Sequence, residues 1–316
     1  MENSERSTRI RNRRKGKRRV FFLLFWVLLL IFLGMAAYFY YEYKKGMENA
    51  QDEANLNNEE FEFNGVEDEF GKVNILLLGV DSRDGRASRT DTIMIAQYDP
   101  DTKESKLVSI MRDSYVTIPG HRKNKINAAY AIGGTELLRK SIKENFDVNL
   151  QYYALIDFDG FAAMVDTAFP EGITVDVPQS MYGGTGITFN PGRQKLHGQE
   201  LLAYVRFRKD AQSDFGRVER QQAVIKSIAD EVLTVQGVVK IPGMLGTIQP
   251  YISTNMKKTT MLSIISPYFL NRNNNEIITF RIPVDHSFEN RRYQHAGSVL
   301  ELDIEKNRTA LKEFLK

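Results

Sequence analysis

Cysteine is absent from the 316 residues, and tryptophan occurs once. Without thiols there can be no disulfide, no thiolate metal site and no cysteine nucleophile, so the folded part must be held by its apolar core. Histidine is scarce: His121, His197, His286 and His295 are the full set, and their positions lack metal-ligand spacing. His286, in IPVDHSFENRR, reads as a loop residue. Charge of either sign is missing from Val20 to Tyr41, VFFLLFWVLLLIFLGMAAYFYY. At about 1.5 Å per residue, a helix over that run just exceeds the roughly 30 Å hydrocarbon core of a bilayer. A cleaved signal peptide has a shorter apolar region that ends in small residues. This run ends instead in Tyr38, Phe39, Tyr40, Tyr41 and Tyr43, an aromatic interface belt. It reads as an uncleaved membrane anchor.

Charge orients the anchor. Residues 1–19 carry nine Lys or Arg against two Glu, and the far flank turns acidic from Glu48 to Glu69. The positive-inside bias predicts a single-pass type II protein in the cell membrane, with a short cytoplasmic tail and an extracellular C-terminal domain. The chain's formal charge is +3, and residues 1–43 account for +6 through nine basic and three acidic side chains, which leaves −3 beyond them. A domain of slight negative charge lacks the field that nucleic acid binding requires, so no nucleic acid partner is expected.

Four regions follow: a basic tail at 1–19, a transmembrane helix at 20–41, a linker at 42–71 and one domain at 72–316. The linker is acidic, rich in Asn and Glu, and has no periodic apolar spacing. After it, VNILLLGV (73–80), DTIMIAQYD (91–99) and SKLVSIM (105–111) have the length and aliphatic content of strands, with a hairpin turn in YDPDTKES. Apolar residues three or four apart predict helices in KINAAYAIG, in TELLRKSIKENF after Gly133-Gly134, and in FDGFAAMVDTAF (158–169). YYALID (152–157) and GITVDVP (172–178) read as strands, and 197–206 and 214–235 as helices. Helix (258–270), strand (276–282) and helix (303–315) follow. This mixture predicts a single α/β domain, with helices on both faces of a mixed central sheet.

Chemistry gathers in two places. Asp81 leaves the end of the first strand and Asp91 opens the next, so a hairpin return brings the carboxylates near each other at a sheet edge where ligands collect. Two oxygen ligands with vacant positions suit Mg²⁺, although Asp side chains in such a turn also cap backbone amides. Arg89, Arg112 and Lys125 each stand where a strand meets a loop or helix. Over a hundred residues later, YVRFRKDAQSDFGRVERQQ (204–222) collects Arg206, Arg208, Lys209, Arg217 and Arg220. Arg217, Arg220 and Gln221 share a helix face, where ion pairing with Asp214 and Glu219 could make an ordinary solvated surface. The interleaved Tyr204, Phe207 and Phe215 should instead draw the segment against the core. Half-buried guanidiniums need anions, and their forked donors match phosphate oxygens in pairs. Paired carboxylates with surplus arginines describe a pyrophosphate site.

NILLLGVDSRDG, SRTDTIMIAQYDP, KLVSIMRDSYVTIPG, KINAAYA and LAYVRFRKD with DFGRVERQQ, in that order behind one N-terminal span, resemble the LytR-CpsA-Psr family, and in organisation the teichoic acid transferases of Gram-positive bacteria. The resemblance runs from about residue 73 to about 235. It implies a phosphotransferase that moves an anionic glycopolymer from undecaprenyl pyrophosphate to a muramic acid 6-hydroxyl of peptidoglycan. By motif, Asp81 and Asp91 would hold Mg²⁺ or Mn²⁺. Arg89, Arg112, Lys125, Arg206, Arg208, Arg217 and Gln221 would bind pyrophosphate oxygens, and Asp91 or Asp214 would accept the hydroxyl proton. Met111 stands where relatives often have Pro, and Lys209 where His is frequent; neither removes a phosphate ligand. The family also passes a polyprenyl chain between sheet and helices, which FDGFAAMVDTAF could line; by periodicity alone Phe161, Met164 and Val165 fit an ordinary core better. A noncatalytic surface regulator that binds polyanions, or a pyrophosphatase, would use the same residues. An extended chain is needed for Arg206 and Arg208 to share a face, so a common pyrophosphate requires the helix from His197 to end before Arg206.

Overall fold

The computed structural model describes residues 25–27, 29–30, 32–48, 61–81, 90–182, 186–208, 214–232, 246, 248–257, 259–261, 263–264 and 276–316. Residues 20–24 of the expected membrane helix lie outside the described residues; α1 (Phe25–Glu48) is, among the described residues, the one helix long and apolar enough to cross a membrane. Its 24 residues span about 36 Å. Phe25, Trp26, Leu30 and Phe32 all point to the outside.

Along the domain run β1 (Val73–Val80), β2 (Thr90–Tyr98), β3 (Ser105–Ile110), β4 (Ser114–Val116), β5 (Asn124–Lys125) and α2 (Ile126–Phe146). Then come β6 (Tyr152–Asp157), α3 (Phe158–Ala168), β7 (Ile173–Val177), β8 (Met181–Tyr182), β9 (Thr188–Phe189), β10 (Gly192–Leu196), α4 (Gly198–Arg206) and α5 (Asp214–Val232). A 3₁₀ turn at Gln249–Tyr251, β11 (Ile252–Thr254), β12 (Ile277–Ile282), β13 (Phe288–Tyr293), β14 (Gly297–Leu302) and α6 (Ile304–Leu315) complete it. Six strands form the expected mixed sheet in the order β11-β6-β1-β2-β3-β12, with β1–β6 and β3–β12 parallel and the rest antiparallel. A smaller sheet, β13-β14-β4-β5, lies beside it. Residues 259–261 and 263–264 of the expected helix at 258–270 are helical. The rest of that segment, residues 233–235 and the basic tail lie outside the described residues.

Side-chain alternation splits the central strands between two layers. Leu76, Leu78 and Val80 of β1, Ile93 and Ile95 of β2, and Tyr153 and Leu155 of β6 enter one core with Leu138, Ile142 and Phe146 of α2 and Leu311 of α6. On the other face, Val165 of α3, Leu201 and Tyr204 of α4 and Val224 of α5 pack with β7 and β10 in a second core. The helix ends follow local chemistry. The Asp157 carboxylate accepts from Gly160 N at 2.6 Å to start α3, and Asp303 accepts from Lys306 N at 3.0 Å to start α6. Within α2 the pair Gly133-Gly134 leaves helical geometry, with φ +64° at Gly134, so the two helices expected there join across a kink.

Contact with the domain begins before Lys72, which shortens the expected linker. Phe61 and Phe63 pack on Tyr153 with ring centroids 6.4 and 5.2 Å apart. Thr135 Oγ1 donates to the Glu62 carbonyl at 2.8 Å, and Asn64 N to Glu136 at 2.8 Å. The sequence signal was two aromatics in an otherwise polar stretch, which periodicity does not register.

Candidate functional site: a cation cluster at the mouth of an apolar cavity

The β1–β2 hairpin sets the geometry. Gly79 faces Thr92 across the ladder and Val80 faces Thr90, so Asp81 and Asp91 leave the same end of the sheet. A Cβ on Gly79 would stand 3.0 Å from Thr92 Cβ, a close approach that favours glycine. Arg112 follows β3 and pairs with Asp91, and its Nε lies 3.7 Å from both Asp113 and Asp214. Lys125 Nζ donates to Asp113 at 2.6 Å.

The second half arrives from α4 and α5. Arg206 lies 3.5 Å from Asp81 with its guanidinium 4.6 Å over the Phe158 ring. Arg208 and Arg217 each reach Asp214 at 2.9 Å. Gln221 Nε2 donates to Thr92 Oγ1 at 3.0 Å, which ties α5 to β2. Every described member of the predicted set thus gathers at this end of the sheet, Arg206 with Asp81, and Arg112, Lys125, Arg208 and Arg217 in a network with Asp91, Asp113 and Asp214. Arg89 lies outside the described residues.

Positive charge is in excess, and part of it is buried. Burial pushes the Arg217 guanidinium down to about 10, with Asp214 opposing and Arg112 reinforcing the shift; it is still protonated at neutral pH. Burial acts on Arg112 in the same sense, but Asp91, Asp214 and Asp113 outweigh it and raise its value. The Nε atoms of both arginines are buried and have no hydrogen-bond acceptor. Donors left unmet in a buried site favour an anionic ligand that draws the guanidiniums into better geometry.

For a divalent ion the donor set is Asp81 and Asp91, each with 29% of its side chain exposed. Two carboxylates open to water fit an ion that keeps part of its hydration shell, and each would exchange an arginine contact for it. Among the described residues there is no group of three or more His, Asp or Glu arranged to hold a metal.

The expected helix break falls one residue later than a shared pyrophosphate requires. Helix α4 includes Arg206, and Phe207 is the extended residue, with ψ 137°. Arg206 therefore turns to Asp81 while Arg208 turns to Asp214, so they reach the array from different sides. Arg220 is buried for another purpose: it donates to the Phe207 carbonyl and lies 5.4 Å over the Phe207 ring, which fixes the break between the two arginines. Sequence reasoning passed over Asp113, the carboxylate that links Arg112 to Lys125. Its signal was adjacency to Arg112, which means nothing until β4 and β5 pair.

Behind the cluster lies a cavity of about 240 Å³ between the sheet and helices α3, α4 and α5. Leu77, Met94, Ile156, Phe161, Met164 and Ile228 are among its apolar walls, while Thr92, Arg206 and Gln221 connect it to the cations. Phe158, Phe161 and Met164 of α3 line it, whereas Val165 is fully buried in the second core.

The LytR_cpsA_psr family model matches residues 36–313. The regulatory protein MsrR of Staphylococcus aureus (strain COL) is 38% identical over 281 residues, covering 89% of this chain and 85% of the relative. The polyisoprenyl-teichoic acid–peptidoglycan teichoic acid transferase TagU of Bacillus subtilis (strain 168) is 32% identical over 264 residues, covering 81% and 84%. The crystal structure of B. subtilis TagV superposes with a TM-score of 0.67 at 29% identity, over 78% of this chain and 98% of that one. On a match that takes in both halves of the cation cluster and the cavity between them, the chain belongs to the LytR_cpsA_psr family.

Proposed function

We propose that this chain is a membrane-anchored phosphotransferase that moves an anionic glycopolymer, wall teichoic acid being the first choice, from undecaprenyl pyrophosphate to the muramic acid 6-hydroxyl of peptidoglycan. The observation that carries the reading is the junction of an anion-seeking cluster with an apolar cavity, the two chemistries joined in a lipid pyrophosphate. The name of the similar transferase TagU supports the same donor and acceptor classes.

Phosphoryl transfer depends mostly on position and charge neutralisation. In this scheme Arg112, Lys125, Arg206, Arg208 and Arg217 bind the pyrophosphate oxygens, Gln221 orients one of them, and the cavity takes the start of the polyprenyl chain. The acceptor oxygen attacks the polymer-side phosphorus as the bond to the bridging oxygen breaks. Undecaprenyl phosphate leaves, and the hydroxyl proton passes to Asp91 or Asp214. Asp81 and Asp91 would hold Mg²⁺ or Mn²⁺, which when bound would neutralise charge on the pyrophosphate oxygens. Helix α1, with the basic residues ahead of it, anchors the chain so that the domain works outside the membrane.

Full-length protein should join lipid-linked polymer to peptidoglycan oligomers and release lipid monophosphate, with divalent metal required. An Asp91→Ala, Arg206→Ala double variant should abolish the product; normal transfer by that variant would overturn the reading. Water as the acceptor would mark a pyrophosphatase. A second reading, a noncatalytic regulator that binds polyanions at the cell surface, is favoured by similarity to a relative named as regulatory. It predicts binding without turnover and little dependence on the paired carboxylates.

A further inference from the structure

Through Asp113 and Lys125 of β5 the cation cluster borders the small sheet, and that sheet carries rings the proposed reaction does not use. Tyr115 of β4 is directly opposite Lys125 of β5, and opposite residues of an antiparallel pair share a face. Its side chain therefore lies on the Lys125 side of the sheet. Across β14, Glu301 is the register partner of Tyr115. The Tyr115 and Tyr293 rings stack with centroids 4.7 Å apart and planes 17° from parallel, and the His295 ring tilts against them at 6.2 and 5.9 Å. Both tyrosines are half-buried and His295 is exposed.

Polar groups border the rings. The Tyr293 hydroxyl donates to Glu301 at 2.7 Å, and Arg291 Nε lies 3.0 Å from the same carboxylate. His295 Nε2 is 3.0 Å from the Lys123 carbonyl, which fixes the ring to the turn before β5. Strand β14 lies between β4 and β13, and Tyr293 faces Gly297 across the ladder, so the two rings meet over that strand rather than as a directly paired couple. The stack is continuous with the phosphate-binding array through Lys125 and Asp113, and it joins ring surface to a carboxylate and a guanidinium, a mixture suited to the apolar C–H face and the hydroxyl rim of a sugar.

We propose that the Tyr115–Tyr293–His295 shelf binds a sugar ring of the acceptor glycan and thereby sets which hydroxyl reaches the phosphorus. The occupant is an N-acetylated amino-sugar strand, reaching the cluster over the small sheet. This rests on the phosphotransferase reading for its role, while the binding itself can be measured without turnover.

The experiment titrates full-length protein in detergent with a soluble peptidoglycan tetrasaccharide by calorimetry. Tyr115→Ala and Tyr293→Ala should each bind it about tenfold more weakly, the size expected for losing one ring contact, while Tyr115→Phe keeps wild-type affinity. His295→Ala changes an exposed side chain, so it gives a second readout if an alanine variant fails to fold; it should bind about threefold more weakly. In transfer assays the alanine variants should raise acceptor KM and spread transfer over more than one acceptor hydroxyl, with donor KM unchanged. Equal affinity in wild type and all variants, or no binding of the tetrasaccharide to the wild type, overturns the proposal. Ring-dependent binding by a wild type that transfers nothing would uphold the shelf and defeat the phosphotransferase reading.

Discussion

Leu76 and Leu77 are neighbours on β1, yet they belong to different environments. Leu76 is fully buried in the core shared with α2 and α6, and Leu77 lines the cavity beneath α3, α4 and α5. The same division runs through β2, where Ile93 and Ile95 face the solid layer and Met94 the hollow one. Both layers are apolar, so hydrophobicity alone does not separate stability from function here. What differs is how the covering helices are held. On the hollow side α5 is fastened to the sheet by polar contacts: Gln222 Nε2 donates to Ser109 Oγ at 2.9 Å and to the Phe280 carbonyl at 2.8 Å, and Gln221 donates to Thr92. Helices fixed at such points can leave space between them, whereas close-packed aliphatic layers do not.

Four substitutions would break or sharpen that contrast. The largest effect belongs to the mouth of the hollow side: Arg112→Ala removes the guanidinium shared by three carboxylates, and transfer should fall by about 10² to 10³ in kcat. A fall of less than tenfold would argue that the cluster is structural. On the solid side, Leu76→Ala should cost about 2 to 5 kcal/mol in denaturant unfolding. Leu77→Ala, at a half-buried position with less apolar surface to lose, should cost less, about 1 to 2 kcal/mol by the same measure, and equal costs would erase the distinction between the faces. The smallest effect concerns acid. Burial alone would raise the Glu136 carboxyl, but hydrogen bonds from Arg139 and Asn64 outweigh it and hold the group at about 2, below its ordinary 4.5. The folded value is depressed, so this contribution is complete above 4.5 and is lost as pH falls through about 2. Glu136→Gln should flatten that part of the stability curve, and an unchanged slope would show that the contact with residues 61–66 adds none of it.

The elements of both layers were legible from sequence, because aliphatic alternation and helical spacing encode burial directly, but the space between them was not. Strands β1, β2, β3, β6 and β12 and helices α3 and α5 stand close to where those periods place them. The hairpin β13–β14 escaped notice because FENRRY carries its charges on a strand that is largely exposed, so alternation never develops. The site residues were named by their chemistry and by family resemblance, and their pairing into Asp91–Arg112, Asp81–Arg206 and Asp214–Arg208 needed the fold. Phe161, Met164 and Val165 mark the boundary of sequence reasoning. All three obey one helical period, yet Phe161 lines the cavity, Met164 lines it while also joining the second core, and Val165 is sealed in that core. Periodicity identifies the face of a helix, and only the opposing layer decides whether that face is filled.

If cavity and cation cluster form one site for one ligand, filling the cavity must weaken binding of a lipid pyrophosphate, and Met94→Trp narrows that space while leaving every cation of the cluster in the chain. Affinities of full-length wild type and variant would be measured for a short-chain polyprenyl pyrophosphate and for inorganic pyrophosphate. With a single site, the variant should lose at least about tenfold in affinity for the lipid while keeping its affinity for pyrophosphate. Equal retention of both ligands would contradict a single site, because the cavity would then have no part in holding the donor.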